Sequence, residues 1–194
     1  MALSINKLHP TFGGEVGPVD LSRTEDDAVL AEIRCALDEF AVLVFHDQLL
    51  DNDSQAAFAQ RLDGELHSKT GTAALQANRF GNEAISDISN VDAEGALLDA
   101  NDRRRLFGLA NRLWHTDASF QDPAGRYSML SARIVPPEPA DTEFADMRAA
   151  YDALDEAMKA RLEGLKVHHS IAYSRQRLGF ELTQKEQQAL AGAY

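Results

Sequence analysis

A single cysteine, Cys35, stands in the whole chain. No internal disulfide can form, and no thiolate cluster can hold a metal. Cys35 falls inside a helical pattern, where a small buried hydrophobe is the expected role. Basic residues are also scarce, 19 against 31 acidic, for a net charge of −12. Nucleic acid and anionic membrane would both repel such a chain, so neither is expected as a partner. A small anion can still meet a local basic pocket. No apolar run approaches the roughly 20 residues of a membrane-spanning helix, and residues 1–7 hold nothing fit for a signal peptide. A cytoplasmic protein is expected. The glycine-rich nucleotide cradles Gly-x-Gly-x-x-Gly and Gly-x-x-x-x-Gly-Lys-Ser/Thr are missing. So are His-Glu-x-x-His and Gly-x-Ser-x-Gly, the usual marks of a zinc protease and a serine hydrolase. Repeats, low-complexity tracts and linker-like stretches are lacking too, so the 194 residues are expected to form one domain, 1–194.

What is present reads as strands and helices in irregular alternation. Residues 3–21 suggest short strands joined by glycine turns. A helix follows, with Thr24 as its expected cap and Val29, Leu30, Ile33, Leu37 and Phe40 at helical spacing. The apolar run 41–45 suits a strand buried on both faces, with His46 at its surface end. Residues 51–63 read as a second helix, capped by Asp51 or Asp53, with Phe58 and Leu62 on its core side. Pattern is lost over 64–78, a candidate binding loop that contains His67 and Lys69. Residues 84–91 alternate as a half-buried strand should, and 127–135 read as another, stopped by Pro136 and Pro137. The charge run 102–105 reads as a solvated turn. Helices are expected over 146–154, with Asp146 as a candidate cap, over 155–165, amphipathic with Met158, Leu162 and Leu165, and over 183–193, capped by Thr183 with Glu186 in the capping-box place; a strand is expected over 167–173. These alternations favour an α+β, mainly β fold, with antiparallel pairing and helices packed outside.

The chemistry concentrates in Asn111-Arg112-Leu113-Trp114-His115-Thr116-Asp117. In an extended segment, residues i and i+2 point to one side. His115 and Asp117 can then offer one nitrogen and one oxygen to the same point, two members of a 2-His-1-carboxylate iron(II) site. A lone His-x-Asp tripeptide carries little by itself. A keto acid chelating such an iron needs a hydroxyl or cation for its far carboxylate, and Thr142 is a candidate donor. His168 and His169 are adjacent, so on a strand they face opposite ways and do not share one metal. One of them is expected to be packed and the other solvated.

Trp114-His115-Thr116-Asp117-Ala118-Ser119-Phe120, Arg126-Tyr127-Ser128-Met129-Leu130-Ser131-Ala132 and the run Asp141-Thr142-Glu143-Phe144-Ala145-Asp146-Met147-Arg148 occur together. With Asp87-Ile88-Ser89-Asn90-Val91, they resemble the iron(II)/2-oxoglutarate dioxygenases of the taurine dioxygenase and 2,4-dichlorophenoxyacetate dioxygenase family. The similarity leans toward the aryloxyalkanoate branch, the phenoxypropionate enzymes included. It implies a double-stranded β-helix (jelly-roll) core with flanking helices, its second half incomplete. It implies iron(II) on His115 and Asp117, 2-oxoglutarate against Thr142, and Asn111 near the substrate pocket. The 64–78 segment would be a lid, and Lys69 would attract a substrate carboxylate unless it is simply a solvated surface lysine. The implied partners are an anionic small molecule, 2-oxoglutarate and dioxygen. The implied reaction hydroxylates the carbon beside an ether oxygen, releasing a phenol and a keto or aldehyde acid, with succinate and CO2. A second iron histidine and a 2-oxoglutarate arginine, also implied, find no matching position, so a truncated chain is expected. Pro139-Ala140 stands where many relatives carry two glycines. A taurine- or alkylsulfonate-type dioxygenase, a non-catalytic remnant acting as a binding module and a different metal hydrolase stay open. So does assembly into a homo-oligomer.

Overall fold

Glycine at position 14 lets the first strands close. A side-chain Cβ there would lie 2.7 Å from Ile5 Cγ2, so only glycine allows the approach. The structure, a computed structural model, describes residues 3–23, 26–66, 80–82, 84–119, 121, 123–138 and 140–190. It divides into two units, each built from two chain segments. Unit 1 is Met1–Gly64 with Met129–Lys166, and unit 2 is Glu65–Ser128 with Val167–Tyr194.

Unit 1 holds a three-stranded sheet in the order β1-β2-β3. Strand β1 (Ile5–Lys7) runs antiparallel to β2 (Gly14–Val16), with Ile5 opposite Val16. Strand β3 (Leu43–Phe45) runs parallel to β2. A parallel pair needs a long crossover, and helix α1 (Asp27–Phe40) supplies it. Its cap is Asp26, whose side chain accepts from the Ala28 amide; the expected cap, Thr24, lies outside the described residues. Leu30, Ile33, Ala36 and Phe40 are buried along one stripe. Cys35 is exposed, contrary to expectation, because it sits off that stripe. Helix α2 (Asn52–Asp63) is capped by Asp51 and buries Phe58 and Leu62, as expected. Arg34 Nη1 donates to the Leu62 carbonyl at 2.9 Å, satisfying a group that α2's own ladder leaves open.

Three expectations in this unit need correction. Strand β3 is half-buried along its length rather than buried on both faces, and among the described residues it pairs only with β2. Residues 127–135 form no ladder: Ile134 is 87% exposed and Val135 77%. Strand-forming residues alone do not make a strand, because a ladder also needs a partner edge. The segment is instead tied down by Arg133, which donates to the Leu50 carbonyl and, at 2.7 Å, to Gln55 Oε1. Helices α4 (Met147–Asp152) and α5 (Glu156–Leu162) form where expected, capped by Asp146 and Asp155. The apolar stripe expected on 155–165 is open, with Leu162 and Leu165 both exposed. His46 is exposed as anticipated, 2.7 Å from Glu15 Oε1.

In unit 2 the expected strand 84–91 reduces to one isolated bridge, Val91 to Leu97. The turn between them is held by Asp92 Oδ1, which accepts from the Glu94 and Ala96 amides. The charge run 102–105 is not a solvated turn. Asp102 caps helix α3 (Arg103–Gly108), and Arg103 grips the Glu186 carboxylate at 3.0 and 3.1 Å. The expected strand 167–173 is also absent. Ser170 Oγ accepts from the Tyr173 amide and starts helix α6 (Ile171–Arg177), because a serine cap recruits a free N-terminal amide. Helix α7 (Gln184–Ala189) carries the expected capping box between Thr183 and Glu186. The unit's core is Leu98, Phe107, Ala110 and Leu190. Phe180 meets Phe107 edge-on at 5.5 Å, and the Arg175 guanidinium lies 4.4 Å over the Phe107 ring. Among the described residues, no helix is long and apolar enough to cross a membrane.

Candidate metal centre

Unit 2 delivers the His-x-Asp motif from a buried anchor. Phe107 and Ala110 are buried, and α3 passes into a 3-10 helix, Leu109–Arg112. At Leu113 the backbone turns extended, φ −80° and ψ 139°, and its amide donates to Ala110 O. The chain then leaves the core. Trp114 is 69% exposed, and the His115 and Asp117 side chains are 48% and 54% exposed. The two side chains come to one side, as the i, i+2 spacing of an extended step predicts. His115 Nε2 and Asp117 Oδ1 lie 3.3 Å apart.

The tautomer of His115 follows from its neighbour. Its Nδ1 sits 2.6 Å from the Leu113 carbonyl. A carbonyl only accepts, so Nδ1 carries the proton and Nε2 presents its lone pair outward. A lone pair facing a carboxylate oxygen at 3.3 Å repels it unless a proton or a cation lies between them. Two cis ligands on a small divalent metal, each about 2.1 Å away, lie about 3 Å apart. The pair therefore fits a shared edge of an octahedron. The donor set, one imidazole and one carboxylate, suits iron(II) or manganese(II). Among the described residues no third His, Cys, Asp or Glu completes a metal-holding group.

The turn just after the pair is tightly constrained. Ala118 adopts φ +53°, a left-handed conformation that a residue with a Cβ rarely takes. A Cβ added at Gly125 would lie 2.8 Å from Ala118 Cβ. Glycine at 125 is what leaves room for the strained alanine. Ser119 Oγ contacts both the Thr116 carbonyl, at 3.2 Å, and His169 Nδ1, at 2.5 Å.

The other expected site residues are placed as follows. Asn111 is exposed on the 3-10 helix leading to the pair. Thr142 belongs to unit 1, exposed in the irregular segment before the α4 cap. Lys69 and His67 lie outside the described residues, as does nearly all of 64–78. His168 and His169 are both exposed, so the packed-and-solvated expectation fails. Sequence reasoning assigned no role at the site to Ser119, Gly125 or His169. The first two lie in or beside the motif and were legible as part of it. The third is 50 residues from Ser119, and nothing in the spacing announces that pairing.

Residues 4–191 match the family described as Taurine catabolism dioxygenase TauD, TfdA family. The chain belongs to this family. It is 43% identical to the Alpha-ketoglutarate-dependent 2,4-dichlorophenoxyacetate dioxygenase of Burkholderia sp. (strain RASC), over 92% of this chain and 60% of that protein. It is 37% identical to the (S)-phenoxypropionate/alpha-ketoglutarate-dioxygenase of Sphingobium herbicidovorans, over 93% of this chain and 58% of that one. Among solved structures, AAD-2 in complex with Mn(II) and N-oxalylglycine superposes with a TM-score of 0.89 at 39% identity. That alignment covers all of this chain and 67% of AAD-2. The chain thus spans about 60% of the length of the curated TauD/TfdA relatives it matches. The TauD/TfdA match accords with the mixed α/β architecture seen here.

Proposed function

We propose that this chain is the His-x-Asp portion of an iron(II)- and 2-oxoglutarate-dependent dioxygenase that cleaves aryloxyalkanoates. The observation that carries the reading is the His115 Nε2–Asp117 Oδ1 edge of 3.3 Å, with the imidazole tautomer set by Leu113. Identity to the 2,4-dichlorophenoxyacetate and phenoxypropionate enzymes supports the substrate class. The Mn(II) and N-oxalylglycine of the AAD-2 structure support a divalent metal beside a 2-oxoglutarate-like acid.

In this reading His115 and Asp117 are two of the iron ligands. The Leu113 carbonyl holds the His115 ring with Nε2 outward. Thr142 donates its hydroxyl to the 2-oxoglutarate carboxylate. Asn111 borders the substrate pocket, and the Lys69 ammonium attracts the substrate carboxylate. Bound iron(II) with 2-oxoglutarate and dioxygen supplies the oxidising chemistry that hydroxylates the substrate carbon beside the ether oxygen, giving succinate and CO2. The hydroxylated carbon then expels a phenol and leaves a keto or aldehyde acid. The chain's own task is to hold that carbon in register and to keep water away.

The same reading makes residues 1–194 part of one cytoplasmic dioxygenase domain with a double-stranded β-helix core. Each of the two units draws on two separate chain segments, so neither is a contiguous piece of sequence. The experiment is anaerobic titration with iron(II) and 2-oxoglutarate. A weak visible charge-transfer band is expected, absent in His115→Ala, together with phenol release from an aryloxyalkanoate in air. Activity that runs on zinc without 2-oxoglutarate would overturn the proposal.

A further inference from the structure

We infer that His169 is a positioning residue for the metal-binding turn, acting through Ser119. The inference rests on the reading of His115 and Asp117 as metal ligands. Ser119 Oγ has one proton to give and two neighbours: the Thr116 carbonyl at 3.2 Å and His169 Nδ1 at 2.5 Å. The carbonyl cannot donate, so the serine proton goes to it, and His169 must bring its own proton on Nδ1. The result is a directed chain, His169 N–H to Ser119 O–H to Thr116 C=O, in which each bond polarises the next. Thr116 is the residue between the two ligands. Anchoring its carbonyl fixes the peptide that sets where the Asp117 carboxylate points relative to His115.

The turn needs such an external hold. Ala118 sits at φ +53°, a conformation that persists only when surrounding structure enforces it. His169 is well placed to enforce it. It immediately precedes Ser170, the cap of α6, and Arg175 of that helix is stacked on the buried Phe107. Phe107 also anchors α3, from which the His115 segment departs. The strut thus ends in the same core that launches the ligand pair.

The test uses the full chain with cobalt(II) as a spectroscopic probe. His169→Ala is expected to weaken cobalt binding about tenfold, the usual scale for groups that orient a metal ligand. His169→Asn is expected to restore it, since the amide nitrogen overlies Nδ1 and donates as it does. Ser119→Ala should match His169→Ala, and the double variant should be no weaker than either single one. Far-UV circular dichroism and melting midpoints check that each variant folds. If both His169 variants bind cobalt like the unmodified chain, or if Asn is as weak as Ala, this inference falls while the metal reading stands. If the unmodified chain shows no His115-dependent cobalt spectrum, the metal reading falls and takes this inference with it. A metal-free check is the nitrogen NMR spectrum of His169. The Nδ1–H tautomer is expected, and the Nε2–H tautomer would overturn the donor chain.

Discussion

At Gly125 the absence of a side chain protects a neighbour's backbone. Ala118 needs the space that a Cβ at 125 would fill, at 2.8 Å. Gly125→Ala is therefore expected to cost about 1–3 kcal/mol of stability and to loosen metal binding. Ala118→Gly, which removes the clashing methyl, should recover most of that cost in the double variant. Denaturant unfolding of the four chains checks the non-additivity. A second residue-scale prediction concerns Asp102. Arg104 donates to its carboxylate from side chain and backbone, and this holds the carboxyl at about 2, below the ordinary 3.8. Folding favours the ionised form, so its stabilising contribution is complete above about pH 4. It fades as pH falls through about 2. Carbon-13 NMR titration of Asp102 should show this depressed midpoint, and Arg104→Ala should move it upward.

Element boundaries were most legible where one side chain closes a helix end. Asp51, Asp146 and Thr183 cap the helices they were expected to cap. Thr183 accepts from the Glu186 amide while the Glu186 carboxylate accepts from the Thr183 amide, a local exchange that needs nothing from elsewhere. Thr183→Ala is expected to destabilise by about 1 kcal/mol; thermal melting with circular dichroism measures it, and an unchanged midpoint would refute it. Arg148 is different. It donates to the Asp38 and Glu39 carbonyls at the end of α1, 2.7 and 3.2 Å away, and no local pattern revealed this. Arg148→Ala should expose α1's last turn, seen as faster amide exchange there while the rest of α1 holds. Strands were the least legible elements. Residues 84–91 alternate and 127–135 read as a strand, yet neither forms a ladder among the described residues, because pairing depends on a second edge that a single segment does not encode.

Among the described residues, the buried apolar side chains are few and specific. Phe58 is 2% exposed, in the unit that also buries Leu30, Ile33 and Phe40. Phe58→Ala is expected to cost about 3–5 kcal/mol through lost burial and the cavity left behind. Urea unfolding gives the figure, and a loss below about 1 kcal/mol would show that the site is not core. Chain order cuts across the units, since each combines an early and a later segment. Thr142 follows His115 by 27 residues in the sequence and yet belongs to a different unit.

By itself the sequence determined the His115-x-Asp117 spacing, the caps at Asp51, Asp146 and Thr183, the buried stripe of α1 and the family resemblance. All of these depend on short-range spacing or on residue identity along one segment. Only the tertiary structure decided that Cys35 faces out, that the 102–105 charges build a helix locked to Glu186, and that His169 reaches Ser119. Those outcomes turn on which distant surface arrives beside a side chain, and local periodicity carries no information about that. Spacing could state that His115 and Asp117 share a side. The fold supplied the Leu113 carbonyl beside the His115 ring and brought His169 to Ser119.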